Sequence, residues 1–276
     1  MAGWVLGLVL MGWVCLGAPG GAMAGELEHT PPKWETLGRG LSFSQVEMVR
    51  DEEVVGTLAV VKIDPASNAF RVFHHAPQNL AAWQRETRAP VVFNASYYDR
   101  EGKPVGLILA DGKAIGPPRN SQMRGMFVAE PKGLSPDLPR ATILDLTLTP
   151  VMPQKLPWLQ GVQSFPLLLD AKGRIRVHRS EKAAHRTVIA TDHGGNILVC
   201  NTYQGSFTLH EFAQFLKDSD FEVEVALNLD GGIEAQLLIK TKDLEFSSPR
   251  SWGNQLGSLW DSREFWLPTV VAVFPR

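Results

Sequence analysis

Three stretches of this sequence end an apolar run in a group of polar residues, which is where a folded chain can present chemistry. In Ala226-Leu227-Asn228-Leu229-Asp230-Gly231-Gly232, Asn228 and Asp230 stand two apart and share one side of an extended backbone. The glycines that follow let a ligand come close to backbone N–H groups; the competing reading is a tight Asp-Gly-Gly turn. In His185-Arg186-Thr187, a guanidinium leads into Val188-Ile189-Ala190. Its planar fork suits a bidentate grip on phosphate, against the alternative of a solvated basic loop shared with Arg179 and Lys182. His185 is either a general acid or base or an exposed loop residue. In Val91-Val92-Phe93-Asn94-Ala95-Ser96-Tyr97-Tyr98-Asp99, Asn94 and Asp99 flank two aromatics able to wall a sugar. There the alternative is a turn in which Asn94 and Asp99 bond local backbone.

Other chemistries find no footing. The histidines, Cys200 and the carboxylates show no familiar metal-ligand spacing, and neither a Gly-x-Ser-x-Gly elbow nor a phosphate loop occurs. Net charge is -2 with no long basic run, which argues against a nucleic-acid partner. At 44% hydrophobic and 20% charged, the 276 residues have ordinary globular composition.

The first charged residue is Glu26; Val5 to Leu16 is almost wholly apolar, and Ala22-Met23-Ala24 has the small-x-small form of a cleavage site. Residues 1–24 therefore read as a secretory signal cleaved after Ala24, with a periplasmic or secreted destination. The usual N-terminal Lys or Arg is missing, and the alternative is an uncleaved anchor. However, Gly3, Gly7, Gly12 and Gly17 break a run already short of the roughly 20 residues a span needs. Once the signal and its Cys15 are removed, only Cys200 remains, so no intramolecular disulfide can form. Cys200 lies in Ile197-Leu198-Val199-Cys200 and reads as an inert core thiol.

The elements that must position these groups are mostly strands. Residues 25–56 read as an N-terminal lead. Thr57 to Ile63 forms a strand, and Phe70, Val72 and His74 alternate with Arg71 and Phe73 in a half-buried one. Asn79 caps a short helix to Glu86. Gly106 to Ala110 and Lys113 to Ile115 form a hairpin about Asp111-Gly112. Further strands are expected at Gly125 to Ala129, Ala141 to Leu146, Phe165 to Leu169, Ile175 to His178, Thr187 to Thr191, Asn196 to Cys200, Glu222 to Asp230 and Thr269 to Phe274. Pro150 to Pro157 is a loop. The clearest helix is Leu209 to Lys217: Thr208 and Glu211 form a capping box, and Leu209, Phe212, Ala213 and Leu216 share one face. Many strands with few helices predict one α+β domain, with a strand-rich mixed sheet and a few packed helices, over residues 57–276.

Taken together, the order of the three polar strand ends and the hairpin Gly106-Leu107-Ile108 to Gly112 resemble the phosphodiester glycosidase family. The likeness runs from about Thr57 to Phe274. Its most specific piece is Asn228-Leu229-Asp230-Gly231-Gly232 following its helix; Arg186-Thr187 and Gly161 to Leu169 also fall in place. The family's Asn-Gly-Gly-aromatic-aromatic stands here as Asn94-Ala95-Ser96-Tyr97-Tyr98. After Asp-Gly-Gly, where the family favours a small residue and Ser, stand Ile233 and Glu234. These departures narrow the space over the backbone and add a carboxylate.

The resemblance implies hydrolysis of a sugar-1-phosphodiester by an exported enzyme acting on envelope or extracellular polysaccharide. Arg186 would hold the phosphate oxygens, helped by Asn94 and by N–H groups at Gly231-Gly232, because an acidic leaving group needs charge stabilisation more than protonation. Asp230 would stabilise oxocarbenium character or activate water, with Glu234 or Asp99 as substitutes. Asn228 and Tyr98 would orient sugar hydroxyls, and Thr187 completes the expected substrate contacts. No cofactor is required, although Asp230 and Asp99 leave room for a divalent cation such as calcium. The alternative is a non-catalytic polysaccharide- or sugar-phosphate-binding protein of the same fold, favoured by Ala95-Ser96 and Ile233-Glu234.

Overall fold

A computed structural model describes residues 25–117, 120–133, 137–148, 152, 155–248 and 266–276. The expected signal at 1–24 and residues 150, 151, 153 and 154 of the expected Pro150 to Pro157 loop lie outside them. In chain order the strands are β1 (Glu28–His29), β2 (Glu35–Gly38), β3 (Leu41–Arg50), β4 (Glu53–Ile63) and β5 (Asn68–Gln78). After helix α1 (Leu80–Thr87) come β6 (Val91–Asn94), β7 (Ile108–Ala110), β8 (Lys113–Ile115), β9 (Gly125–Pro131) and β10 (Ala141–Asp145). Then follow β11 (Trp158–Ser164), β12 (Leu167–Leu169), β13 (Thr187–Asp192) and β14 (Ile197–Gln204). Helix α2 (Leu209–Asp218) leads to β15 (Val223–Asn228), a 3-10 turn at Gly232–Glu234, β16 (Leu237–Lys240), β17 (Glu245–Ser248) and β18 (Leu267–Pro275).

The strands form three sheets. The first runs β1-β3-β4-β14-β13-β15-β12 with β2 beside β3, the second β10-β9-β11-β7-β8, and the third β17-β16-β6-β18-β5. The expected mixed sheet is corrected: every pairing among the described strands is antiparallel. Short connections such as the one between β7 and β8 favour this, since a parallel neighbour needs a long crossover. In that hairpin Asp111 (φ 48) and Gly112 (φ 78) both sit in the left-handed region, the twist a two-residue turn requires.

Inner faces of the three sheets enclose one apolar core, in which Ile189 and Leu227 meet Phe93 and Val271 and also Phe127 and Val162. Helix α2 covers the outer face of the first sheet with Phe212, Ala213, Phe215 and Leu216, packing on Val188, Ala190 and Ala226. Its capping box is formed: Glu211 N donates to Thr208 Oγ1 at 3.2 Å, and Thr208 N donates to Glu211 Oε2 at 3.2 Å. Helix α1 covers the third sheet, with the fully buried Trp83 among Val92, Val270 and Ala272. Asn79 caps it, accepting from Ala82 N at 2.8 Å. Among the described residues no helix is long and apolar enough to cross a membrane.

Two sequence readings change. Residues 25–56, read as a lead, carry β1 to β3, and β3 pairs with β4 along its whole length. Its buried positions switch phase, with Leu41 and Phe43 in the central core and Val46 and Met48 in the α2 core. Ile175 to His178 is not a strand beyond a single bridge between Ile175 and Leu169. The reason is local: Arg174 and Arg176 both turn back onto Asp170 Oδ2, at 2.9 and 3.0 Å, and the segment follows that carboxylate rather than a ladder.

Candidate active site

The three polar strand ends meet at the chain leaving β15. Leu229 N donates to Thr187 O at 2.9 Å, Asp230 N to Ala95 O at 3.2 Å and Gly232 N to His185 O at 2.9 Å. Asn94 clasps the same segment from β6: its Nδ2 donates to Asp230 O at 2.8 Å, and its Oδ1 accepts from Gln236 N at 3.0 Å. The first and third sheets are thus laced together around Asp230.

Arg186 is 7% exposed. Its Nε donates to Phe207 O at 2.9 Å and an outer nitrogen, Nη2, to Lys182 O at 3.0 Å. Among the described residues it has no ion pair, and Nη1 takes no hydrogen bond. Burial lowers the guanidinium's pKa from its ordinary value, but it remains a cation at any working pH. A Cβ added at Gly231 would lie 3.4 Å from Nη1 and 3.0 Å from His185 O. Glycine at that extended position (φ -120) therefore serves close approach of the backbone to the guanidinium. Gly232 is glycine for a different reason, its φ of 75.

Asp230 and Glu234, on the turn just after it, supply two carboxylates. Burial, then the neighbouring Glu234 charge, pushes Asp230 up to about 7, although Gly231 N donates to its Oδ1 at 2.9 Å. Burial also raises Glu234, whose Oε1 lies 3.5 Å from the Tyr98 hydroxyl. Both phenols are raised, chiefly by burial: Tyr97 further by the charge of Asp230, and Tyr98 by those of Glu234 and Asp230. They act as neutral donors. Tyr97 Oη donates to Phe165 O at 3.0 Å and accepts from Asn228 Nδ2 at 2.9 Å. Asn228 in turn has its carbonyl gripped by Ser164 Oγ at 2.8 Å.

Several expected roles are corrected. Asp99 is exposed, and its Oδ1 accepts from the N–H groups of Glu101 and Lys103, both at 2.9 Å. It shapes a turn, which is the local alternative considered for it, and leaves the pair of carboxylates to Asp230 and Glu234. Thr187 faces an interior network: its Oγ1 accepts from Asn201 Nδ2 at 2.9 Å, and Asn201 Oδ1 accepts from Ser248 Oγ. The N–H groups of Gly231 and Gly232 are taken by Asp230 Oδ1 and His185 O rather than offered to a ligand. Asn94 holds backbone with both ends of its amide. The basic-loop alternative for Arg186 fails, because it is buried. His185 is half-buried, and burial lowers its pKa from the ordinary value. Gln236, Ser164 and the Phe165 carbonyl carry much of the positioning; sequence offered no sign of them beyond the Gly161 to Leu169 segment. Cys200 is buried and free, its thiol pushed up to about 12 by burial, as an inert core residue should be. Among the described residues, no group of three or more His, Cys, Asp or Glu is placed to hold a metal ion.

Comparison places the fold among known proteins. A family model described as phosphodiester glycosidase matches residues 87–274. A hypothetical protein from Synechocystis has a similar solved structure, with TM-score 0.59 and 16% identity, covering 90% of this chain and 64% of that one. The chain therefore spans under two thirds of that protein's length. The zebrafish N-acetylglucosamine-1-phosphodiester alpha-N-acetylglucosaminidase catalytic domain, auto-inhibited by pro-peptide, gives TM-score 0.59 and 19% identity, with 92% and 87% covered. These likenesses are of fold. No curated protein sequence matches the chain.

Proposed function

The chain belongs to the phosphodiester glycosidase family, and from that premise we propose that it is an exported hydrolase that splits the bond between a sugar's anomeric carbon and a phosphodiester. The observation that carries this is Arg186: a buried guanidinium without a carboxylate partner among the described residues, its free edge turned to Gly231 beside Asp230. A buried cation of this kind calls for an anion, and its fork matches two phosphate oxygens. The zebrafish relative's own name is that of a sugar-1-phosphodiester hydrolase.

In this reading Arg186 holds the non-bridging oxygens and takes up the charge that grows on the departing phosphate monoester. As the anomeric C–O bond breaks, its electron pair leaves with the phosphate. Asp230 in its carboxylate form faces the oxocarbenium-like carbon or takes the proton of the attacking water, while burial, with the Glu234 charge beside it, keeps Asp230's pKa near neutrality. Tyr98 reaches a sugar hydroxyl, and Asn228 acts through Tyr97. Asn94 is a positioning residue that holds the Asp230 backbone. The substrate class is an envelope or extracellular glycan phosphodiester. The same reading takes residues 1–24 as a cleaved signal, the destination as periplasmic or secreted, and the folded part as one α+β domain.

Assay of Asp230→Asn and Arg186→Ala on an activated sugar phosphodiester tests it; kcat/KM unchanged in both removes the assignment. A binding-only protein of the same fold is the second reading. Its specific support is Ala95-Ser96 and the occupation of the Gly231 and Gly232 N–H groups within the protein. It predicts tight binding of the same compound with no turnover by the unaltered chain.

A further inference from the structure

A cavity of about 310 Å³ opens beside the site and is lined by Gln122, Arg124, Asp145, Arg176 and the run Phe165-Pro166-Leu167. The fold ties it to the catalytic strand. Gly125, at the start of β9, pairs with Ser164 at the end of β11. It also presses on β15, where a Cβ would come within 2.3 Å of a Leu227 methyl. Arg124 and Phe165 are the residues flanking that pair. The Phe165 carbonyl accepts from Tyr97 and Asn228, and its ring packs on Tyr97 with centroids 4.9 Å apart. Phe165 thus lines the cavity and also holds the Tyr97–Asn228 pair of the candidate site.

The cavity's charges are unequal. Arg176 is bound to Asp145 at 3.1 Å and Asp170 at 3.0 Å, and Arg174 also holds Asp170. Asp145 spends its other oxygen on Thr147. Arg124 is the cation left over. It is exposed, its carbonyl is fixed by Leu146 N at 2.9 Å, and its side chain has no hydrogen bond or ion pair among the described residues. The Gln122 amide likewise bonds nothing there. An aromatic ring and a proline form the apolar side, and an unpaired guanidinium with an amide the polar side. That combination fits the flat face of a pyranose carrying an anionic group.

We propose that this cavity binds an anionic sugar unit, one bearing a carboxylate or a phosphate, as a subsite of the glycan beyond the phosphodiester. Its place in the substrate rests on the function proposed above; the binding itself does not. The test is equilibrium binding without turnover, comparing glucuronic acid, glucose 6-phosphate and glucose on the unaltered chain, Arg124→Glu and Arg186→Ala. Arg124→Glu is expected to weaken the anionic probes by about ten-fold or more, with glucose unchanged. Arg186→Ala retains the binding that Arg124→Glu weakens. Loss with glucuronic acid alone identifies a carboxylate, and loss with glucose 6-phosphate alone identifies a phosphate. The milder Arg124→Gln should show the same sign. Equal binding by Arg124→Glu and the unaltered chain, equal affinity for glucose and the anionic sugars, or loss only in Arg186→Ala overturns the proposal. Absence of hydrolysis, with this binding intact, counts only against the catalytic reading.

Discussion

The side-chain amide of Asn94 donates to the backbone carbonyl of Asp230 at 2.8 Å, so a residue of the third sheet fixes the acid at the end of a strand in the first. Asn94→Ala strands Asp230 O and Gln236 N away from water. Each loss is of the order of 1–3 kcal/mol. A lower denaturant midpoint is expected together with a fall in kcat; a variant as stable and as active as the original would remove this positioning role.

Asp230 links stability to pH. Its proton is held more tightly in the folded chain, at about 7, than in the unfolded chain, at about 3.9. The stabilising contribution is therefore complete below about pH 4 and is lost as pH rises to about 7. Asp230→Asn has no charge to bury, so it should melt higher than the unaltered chain at pH 8 and show little difference at pH 4. The same substitution should abolish a rising limb of kcat/KM centred near pH 7. Thermal melts at the two pH values read the first effect, and a pH–rate profile the second.

Arg186→Ala should cost about 10²–10³ in kcat/KM, the usual scale for removing one charge-stabilising group. Lysine at this position should rescue little, because it lacks the fork. With Arg124→Glu as the background, inorganic phosphate at about a hundred times its dissociation constant should stabilise the protein by about 2.7 kcal/mol, and adding Arg186→Ala should remove that shift. A phosphate-dependent melting shift retained in that variant would place the anion elsewhere.

Gly231→Ala isolates the approach of backbone to guanidinium. The backbone there is extended, so strain is small, and the added methyl meets Arg186 Nη1 at 3.4 Å and His185 O at 3.0 Å. The expected result is about a ten-fold loss of kcat/KM at a stability cost within about 1–3 kcal/mol. Unaltered kinetics would show that Nη1 does not face the substrate.

Thr187→Val should separate structure from catalysis. It leaves Asn201 Nδ2 without its 2.9 Å partner and should lower stability by about 1–3 kcal/mol. The kcat/KM of the remaining folded enzyme should stay within two-fold or so of the original. A selective rise in KM would restore the substrate contact first expected of this residue.

What could be read from the sequence depended on how local the signal was. Thr208 and Glu211 announce their helix, and Asp111-Gly112 its turn, because each acts within four residues. Strand β3 was hidden because its apolar positions change phase near Ser44, as the strand passes from one core to another; periodicity assumes a single buried face. At the site, residue types singled out Asp230 and Arg186 as candidates, and the family resemblance grouped them. They could not separate Thr187, turned inward to Asn201, or Asp99, spent on its own loop. Nor could they show that the Gly231 and Gly232 N–H groups are taken. Those distinctions rest on which acceptor or donor the fold sets beside each group, from the adjacent Asp230 carboxylate at Gly231 to the His185 carbonyl at Gly232, and residue types do not encode that choice.

The lacing of the first sheet to the third has a consequence for how the protein matures. Strand β18, which follows all of the catalytic side chains in the sequence, lies against β6 with Val270 opposite Asn94. A nascent polypeptide with every catalytic side chain already made still lacks the neighbour that seats Asn94, and hence a fixed acid. Activity should thus switch on only once β18 has paired with β6, as a single event, with no competent fragment that lacks that strand.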